Sequence, residues 1–364
     1  MTRALFVLCL LVPGVAHAQA GWYVTPAVSV AEEFDDNVFS SASNRKWDLI
    51  SRFSPSLKAG YQSKPFTLLG SAGIDAEYFA QRPELSGEAN RKRLGLTLQY
   101  VPELTTTFDL AASVIQTETP TDLQVLTGIE RPRGTTTQWT VAPSAIHKFT
   151  PITSGDVGYS FSEDVSDALT LRSQQGRLGL SHQFSHLGTG VAHYTLREVD
   201  SDAAPASMSH ALTAGWTWRF SPTTVLSVEA GPRLSDGVIQ PDVTAALSHR
   251  FHQTGELSLN YARTETVLTG NAGKVEVNSL SAALSLTPQR SLGVTLGGLV
   301  GYTTAKDLPD TLVYRANATV SYRLTKWLTF DVSHRFSIED RGPDRIYHNI
   351  FSIGLSAVYP VRAY

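Results

Sequence analysis

Cysteine is nearly missing from this 364-residue chain: the one copy, Cys9, lies in the opening apolar stretch. Beyond that stretch a disulfide framework, a thiolate nucleophile and a zinc–thiolate cluster are all excluded. Charge is scarce as well, with 17 % charged residues against roughly 25 % in an ordinary soluble domain. A formal net charge of −3 leaves no basic footprint, so no nucleic-acid partner is expected. Long apolar runs are also missing after residue 12, although 42 % of the residues are hydrophobic. Mean hydropathy is close to zero. A chain poor in both charge and apolar blocks must disperse its hydrophobicity, and alternation along strands is the simplest way to do so.

The N-terminus is the exception. Met1-Thr2-Arg3, the apolar run Ala4 to Val12, and Ala16-His17-Ala18 have the order of a secretory signal peptide. The run is shorter than the about 20 residues that a bilayer-spanning helix needs. Residues 1–18 are therefore expected to be a signal peptide cleaved after Ala18, with Ala20 the second choice, and residues 19–364 a single domain. No small residue precedes Cys9 in a lipoprotein-like setting, so lipid attachment is not expected.

From Trp22 to Tyr359 apolar and polar residues alternate. Leu292, Val294, Leu296, Val300 and Tyr302 oppose Gly293, Thr295, Gly297 and Gly301. Leu312, Tyr314, Ala316, Ala318, Val320 and Tyr322 oppose Arg315, Asn317, Thr319, Ser321 and Arg323. Leu328, Phe330, Val332, Phe336 and Ile338 oppose Thr329, Asp331, Ser333 and Arg335, and Phe351, Ile353, Leu355, Ala357 and Tyr359 oppose Ser352, Gly354 and Ser356. Period two puts these sets on opposite faces of a sheet. A soluble sandwich or β-helix would alternate too. Length separates the readings, because segments of about 10–14 residues exceed ordinary globular strands and suit tilted transmembrane ones.

The breaks are of two kinds. Short ones recur at 62–65, 101–103, 149–151, 184–186, 220–222, 251–253, 287–289 and 324–326. Longer polar ones lie at 35–47, 81–90, 119–134, 165–172, 200–206, 236–241, 268–273, 304–310 and 339–345. Alternation of short turns with longer loops is the asymmetry of an outer-membrane barrel. The count predicts an all-β, transmembrane, antiparallel up-and-down β-barrel of about 18 strands (16–18), with both termini periplasmic. Gly354-Leu355-Ser356-Ala357-Val358-Tyr359 looks like the assembly signal that ends such barrels. The last strand is expected to end at Tyr359 and to be read by the barrel assembly machinery, with outer-membrane lipid as the other partner.

A barrel of this size leaves an aqueous lumen. Parity places Arg52, Lys58, Lys148, Arg177, Arg197, Arg219, Arg233, Arg250, Arg315, Arg323 and Arg335 inward. The inward acids are Asp75, Glu77, Asp109, Glu229, Glu256 and Asp331. That balance predicts an electropositive wall that favours anions. Lys148, Arg219, Arg250 and Arg323 each precede the residue that closes a strand and predict a basic collar at the periplasmic mouth; the alternative is snorkelling toward headgroups. Trp139, Trp216, Trp218, Tyr261, Phe330 and Phe351 fall on the outward parity, as an aromatic girdle does. Loop 119–134, the longest, is either a constriction folded inward or an exposed surface loop.

Signals for chemistry are weak. No Gly-x-Ser-x-Gly elbow opens a helix. The spacings His182/His186 and His249/His252 do not form a tetrahedral pocket on strands, so these histidines read as interfacial. The acidic run Glu32-Glu33-Phe34-Asp35-Asp36-Asn37 lacks EF-hand spacing and reads as a turn. Neither an enzyme, a cofactor nor a metal is expected.

One resemblance is specific. Thr25-Pro26-Ala27-Val28-Ser29-Val30-Ala31-Glu32-Glu33-Phe34-Asp35-Asp36-Asn37-Val38-Phe39, followed by Trp47-Asp48-Leu49-Ile50-Ser51-Arg52-Phe53-Ser54-Pro55-Ser56-Leu57, resembles the opening of β-barrel porins associated with exosortase and exopolysaccharide loci in Gram-negative bacteria. The match covers roughly residues 22–60. It implies an outer-membrane barrel connected to polysaccharide export and supplies no catalytic residues. The combined expectation is a passive channel for small or polymeric, anionic solutes in the outer membrane. The alternative is a non-conducting barrel that anchors a surface polymer or a periplasmic partner.

Overall fold

The computed structural model describes residues 21–123, 126–251, 254–305 and 308–363; the expected signal peptide lies outside them. The strands are β1 (Gly21–Asp35), β2 (Asp48–Gln62), β3 (Phe66–Phe79), β4 (Gly87–Glu103), β5 (Thr106–Thr117) and β6 (Thr136–Thr150). Next come β7 (Thr153–Ser166), β8 (Thr170–Ser185), β9 (Gly188–Ser201), β10 (Ala204–Ser221), β11 (Thr224–Ser235) and β12 (Val238–Phe251). The last are β13 (Gly255–Val267), β14 (Lys274–Gln289), β15 (Leu292–Ala305), β16 (Leu308–Arg323), β17 (Leu328–Arg341), β18 (Asp344–Val358) and the short β19 (Val361–Ala363). Within β1 to β18 each strand pairs antiparallel with its sequence neighbours, β1 pairs with both β2 and β18, and β19 pairs with β1. The result is a closed 18-strand antiparallel barrel. Closure leaves no free sheet edge, the condition for a sheet to stand in hydrocarbon.

Register realises the alternation. Across β1 and β2 one face carries Trp22, Val24, Val28 and Val30 beside Tyr61, Ala59, Pro55 and Phe53, and these apolar side chains are largely exposed. The other face carries Thr25, Ala27 and Ser29 beside Lys58, Ser56 and Ser54. An apolar exterior this continuous is stable only against lipid. Aromatic pairs such as Trp22–Tyr61 (5.1 Å between centroids) and Phe184–Trp216 (5.1 Å) mark the short-turn end of the exterior. Trp139, Tyr261 and Phe351 are exposed on the same outer face. By register with Trp216, Trp218 and Phe330 share it.

The interfacial histidines form a repeated unit. His147, His182 and His249 accept or donate across the strand to Thr106, Thr153 and Thr224 at 2.8–2.9 Å. Each also lies edge-on to the phenylalanine two residues later, Phe149, Phe184 or Phe251. His186 occupies the exposed turn after Phe184, and His252 lies outside the described residues.

Three expectations are corrected. First, several breaks read as long loops are tight hairpins: Ser201 pairs with Ala204, Ser235 with Val238 and Arg341 with Asp344. Asp236 and Gly237 both have positive φ, as a two-residue hairpin turn requires. Polar residues at 200–206, 236–241 and 339–345 mark where strands rise above the apolar band while pairing continues, so polarity alone does not end a strand. Second, the strands run up to 18 residues. Third, β18 ends at Val358, within one residue of the expected Tyr359, but pairing does not stop there. Tyr359 N–H donates to Pro26 O (3.0 Å), Pro360 lacks a donor, and β19 resumes on Trp22–Val24.

Candidate functional site: a lumen crossed by two inward elements

The long loop after β5 folds inward. Its arms are cross-tied where Arg131 N–H donates to Thr121 Oγ1 at 2.8 Å, beside a single 3-10 turn at Pro120–Leu123. Gly128 has φ of +64°, and a Cβ at Gly301 of β15 would lie 2.9 Å from Thr127 O. Both glycines thus admit close contact of loop backbone with the far wall. The tip residue Glu130 is 3 % exposed. Its N–H donates to Glu339 Oε2 at 2.6 Å, and its carboxylate accepts from Ser337 Oγ (2.8 Å) and Arg315 (3.2 Å). His348 of β18 bridges Glu130 (3.4 Å) and Asp35 (2.8 Å), and Arg341 reaches Glu130 O and Glu339. Burial alone would raise the Glu130 carboxyl. The hydrogen bond and charge of His348, the Arg315 charge and the Ser337 hydroxyl outweigh it and hold the group at about 2.

A second element enters from the opposite side of the ring. Pairing of β12 with β13 ceases above Val243–Arg263, near Pro241, whereas β13–β14 pairing continues to Val267–Lys274. β11–β12 pairing also continues, to Ser235–Val238. The tip of the β13–β14 hairpin therefore leaves the wall and leans into the lumen. Its formerly outward side chains meet the inner wall. Glu265 accepts from Ser209 (2.8 Å) and Ser235 (2.5 Å), Lys274 donates to Ser235 (2.8 Å), and Glu276 lies 3.6 Å from Arg233. Thr269 at the tip donates to Asp164 of β7 at 2.8 Å.

The two elements meet in an apolar seam. Ile129, Leu268, Val275, Val277 and Val313 are each no more than 4 % exposed, with Leu299 and Ala305 packed against them. Burying such a side chain is worth about 1.5–3 kcal/mol, so the seam fixes both elements inside an otherwise polar interior. A polar cavity of about 150 Å³ lies on one side, lined by β1, β2, β4, β18 and the loop. Another of about 140 Å³ lies on the other side, lined by β8–β13.

The inward side chains predicted from sequence fall into two zones. In the loop half they are paired. Arg52 contacts Glu33 (3.2 Å) and Glu77 (2.9 Å), Asp75 contacts Arg93 (2.6 Å), and Arg233 contacts Asp242 (3.2 Å). Arg197 donates to Gln175 (2.8 Å) and to Glu265 O, Arg315 holds the loop tip, and Arg335 lines the first cavity. Arg177 and Glu229 line the second cavity, where His193 contacts Glu229 at 2.9 Å. In the short-turn half Lys58, Lys148, Arg219, Arg250 and Arg323 are exposed and form no ion pair among the described residues. Glu256 accepts from Ser248 (3.2 Å), Asp331 from Ser321 (2.5 Å) and Asp109 from Gln99 (3.0 Å).

The excess of inward bases over acids expected from parity is reduced by further charged side chains that face the lumen. Sequence reading missed the acids Glu33, Asp35, Asp156, Asp164, Asp242 and Glu339 and the bases Arg91, Arg93, Arg131 and Arg133. Asp35, Glu339, Arg131 and Arg133 lie in stretches that polarity had assigned to loops, and the other six lie within strands. Arg91 and Arg93 continue the parity of Gly95 and Thr97, a signal that was present. Lys58, Lys148, Arg219, Arg250 and Arg323, which form no ion pair among the described residues, all lie in the short-turn half.

The acidic run at 32–37 is dispersed. Glu32 accepts from Ser51, Glu33 pairs with Arg52, Asp35 with His348, and Asp36 with Arg45. Asn37 is fully buried and donates to Ser41 O and Tyr347 O, both at 2.9 Å. The Asp-Asn pair thus ties the first loop to the top of β18.

No protein-family model matches the sequence, and no curated protein does either. Solved structures share the fold. Acinetobacter baumannii OccAB4 is 10 % identical with a TM-score of 0.52, over 94 % of this chain and 99 % of that one. Pseudomonas aeruginosa OccK7 (OpdD) is 12 % identical with a TM-score of 0.51, over 95 % and 100 %. Pseudomonas aeruginosa OpdO is 11 % identical with a TM-score of 0.51, over 94 % and 98 %. All are outer-membrane β-barrels.

Proposed function

We propose that the chain is a passive channel of a Gram-negative outer membrane that conducts small anionic solutes and serves an exopolysaccharide locus. The observation that carries the reading is the closed apolar-outside, polar-inside ring with polar cavities of about 140 and 150 Å³ beside the inward loop and hairpin. Lys58, Lys148, Arg177, Arg219, Arg250 and Arg323 form the basic part of the pathway, and Asp109, Glu256 and Asp331 moderate it. Arg52 is spent on ion pairs, Arg315 on the loop tip and Arg197 on the hairpin, so these set shape more than charge; Arg335 lines the first cavity. Two inward elements narrow the loop end, which favours small solutes over polymers. The exopolysaccharide link rests on the resemblance of residues 22–60. No chemical step, cofactor or metal enters this reading.

Converting the collar Lys148, Arg219, Arg250 and Arg323 to Gln tests it in planar bilayers. The anion-to-cation permeability ratio is expected to fall severalfold, because charged rings of one sign set selectivity. An unchanged ratio would remove the collar from the pathway. The competing reading, a non-conducting barrel that docks a polymer or periplasmic partner, draws on the double latch at the loop end.

A further inference from the structure

We propose that the loop end of the lumen is divided by a septum into two parallel passages, and does not narrow to a single eyelet. The idea rests on the channel reading above. The loop after β5 and the β13–β14 hairpin start from nearly opposite positions in the ring. The loop is latched to β16–β18 through Glu130, and the hairpin to β7 through Thr269. Loop tip and hairpin are packed against each other and against Val313 of the β16 wall in the seam of Ile129, Leu268, Val275 and Val277. A seam this dry does not conduct ions, so water and solute must pass on either side of it.

The two sides differ chemically. The first passage is lined by Arg52, Arg131, Arg133, Glu33 and Asp35. Arg131 makes no ion pair among the described residues. Its guanidinium is destabilised by burial and by the nearby Arg341, against a smaller favourable effect of Glu339. The second passage is lined by Arg177, Arg197 and Arg233 against Glu229 and Asp242, with a run of threonines, Thr195, Thr213 and Thr244; Arg197 and Arg233 are already engaged by Glu265 O and Asp242. The first thus offers a cationic site to a carboxylate, and the second a near-neutral, hydroxyl-rich wall to uncharged or zwitterionic polyols.

Residues 21–363 contain no cysteine, which permits a direct test. Ile350→Cys places one thiol on the first passage and Thr244→Cys one on the second; both substitutions are small and leave the seam and latches intact. Each variant, and the double variant, is recorded in planar bilayers before and after the anionic reagent 2-sulfonatoethyl methanethiosulfonate, with labelling confirmed by mass spectrometry. The septum predicts that either modification alone removes about half of the single-channel conductance, and both together nearly all of it. A single eyelet is shown if one modification closes the channel while the other has no effect, or if either alone closes it fully. A thiol that stays unlabelled in the open channel overturns the proposal as well. Steps present before labelling but blocked from one site only would reject the septum and keep the channel, whereas no steps from correctly folded protein would reject both.

Discussion

At the residue scale, Glu130 does more than any other side chain to place the long loop. Three strands supply its partners, and its carboxyl is held at about 2 against an ordinary 4.5. A carboxyl with a lowered folded-state pKa stabilises the seated loop above its unfolded value and loses that contribution as pH falls toward the folded one. The loop is therefore expected to stay seated from neutral pH down to about 4.5 and to loosen between about 4.5 and 2. Replacing Glu130 by Gln leaves Arg315 and His348 short of a counter-charge, at a cost of about 1–3 kcal/mol. Single-channel traces of this variant should show a larger or noisier open level at neutral pH and a weaker response to acid. A quiet open level with unaltered acid response would show that Glu130 does not latch the loop.

At the element scale, the inward hairpin depends on β12 releasing β13. Replacing residues 268–273 with a two-residue Asn-Gly turn removes Leu268 from the seam and Thr269 from Asp164 while sparing every wall pairing. Conductance is expected to rise, with heat-modifiable migration on gels unchanged. Deleting 121–132 should act in the same direction through the other half of the seam. No change in conductance after either deletion would mean that these elements do not obstruct the pathway.

The barrel itself was readable in the sequence because a strand face repeats every second residue, so Leu312 to Tyr322 and Arg315 to Arg323 sort themselves. The hairpin was not readable by that rule, since Arg263, Glu265, Lys274 and Glu276 keep the parity of lipid-facing positions. A signal was nonetheless present. Charges on the lipid face cost about 2–4 kcal/mol near the midplane for Arg or Lys, and four clustered there argue for a segment that has left the lipid. The inward course of the 119–134 loop was left open by sequence, because Glu130 finds its partners more than 180 residues away.

At the scale of the whole molecule, the net charge of −3 conceals a gradient. Around the loop-end septum most acids and bases pair with each other, Arg131 excepted, and Lys and Arg without an ion pair among the described residues gather at the short-turn end. This arrangement separates two tasks: shape selection by the packed loop and hairpin, and charge selection by the collar. The measurement that bears most directly on it is single-channel recording of purified, folded protein in a potassium chloride gradient. The account predicts discrete steps with a reversal potential displaced toward that of chloride. A reversal potential on the potassium side, or no steps at all, would contradict it.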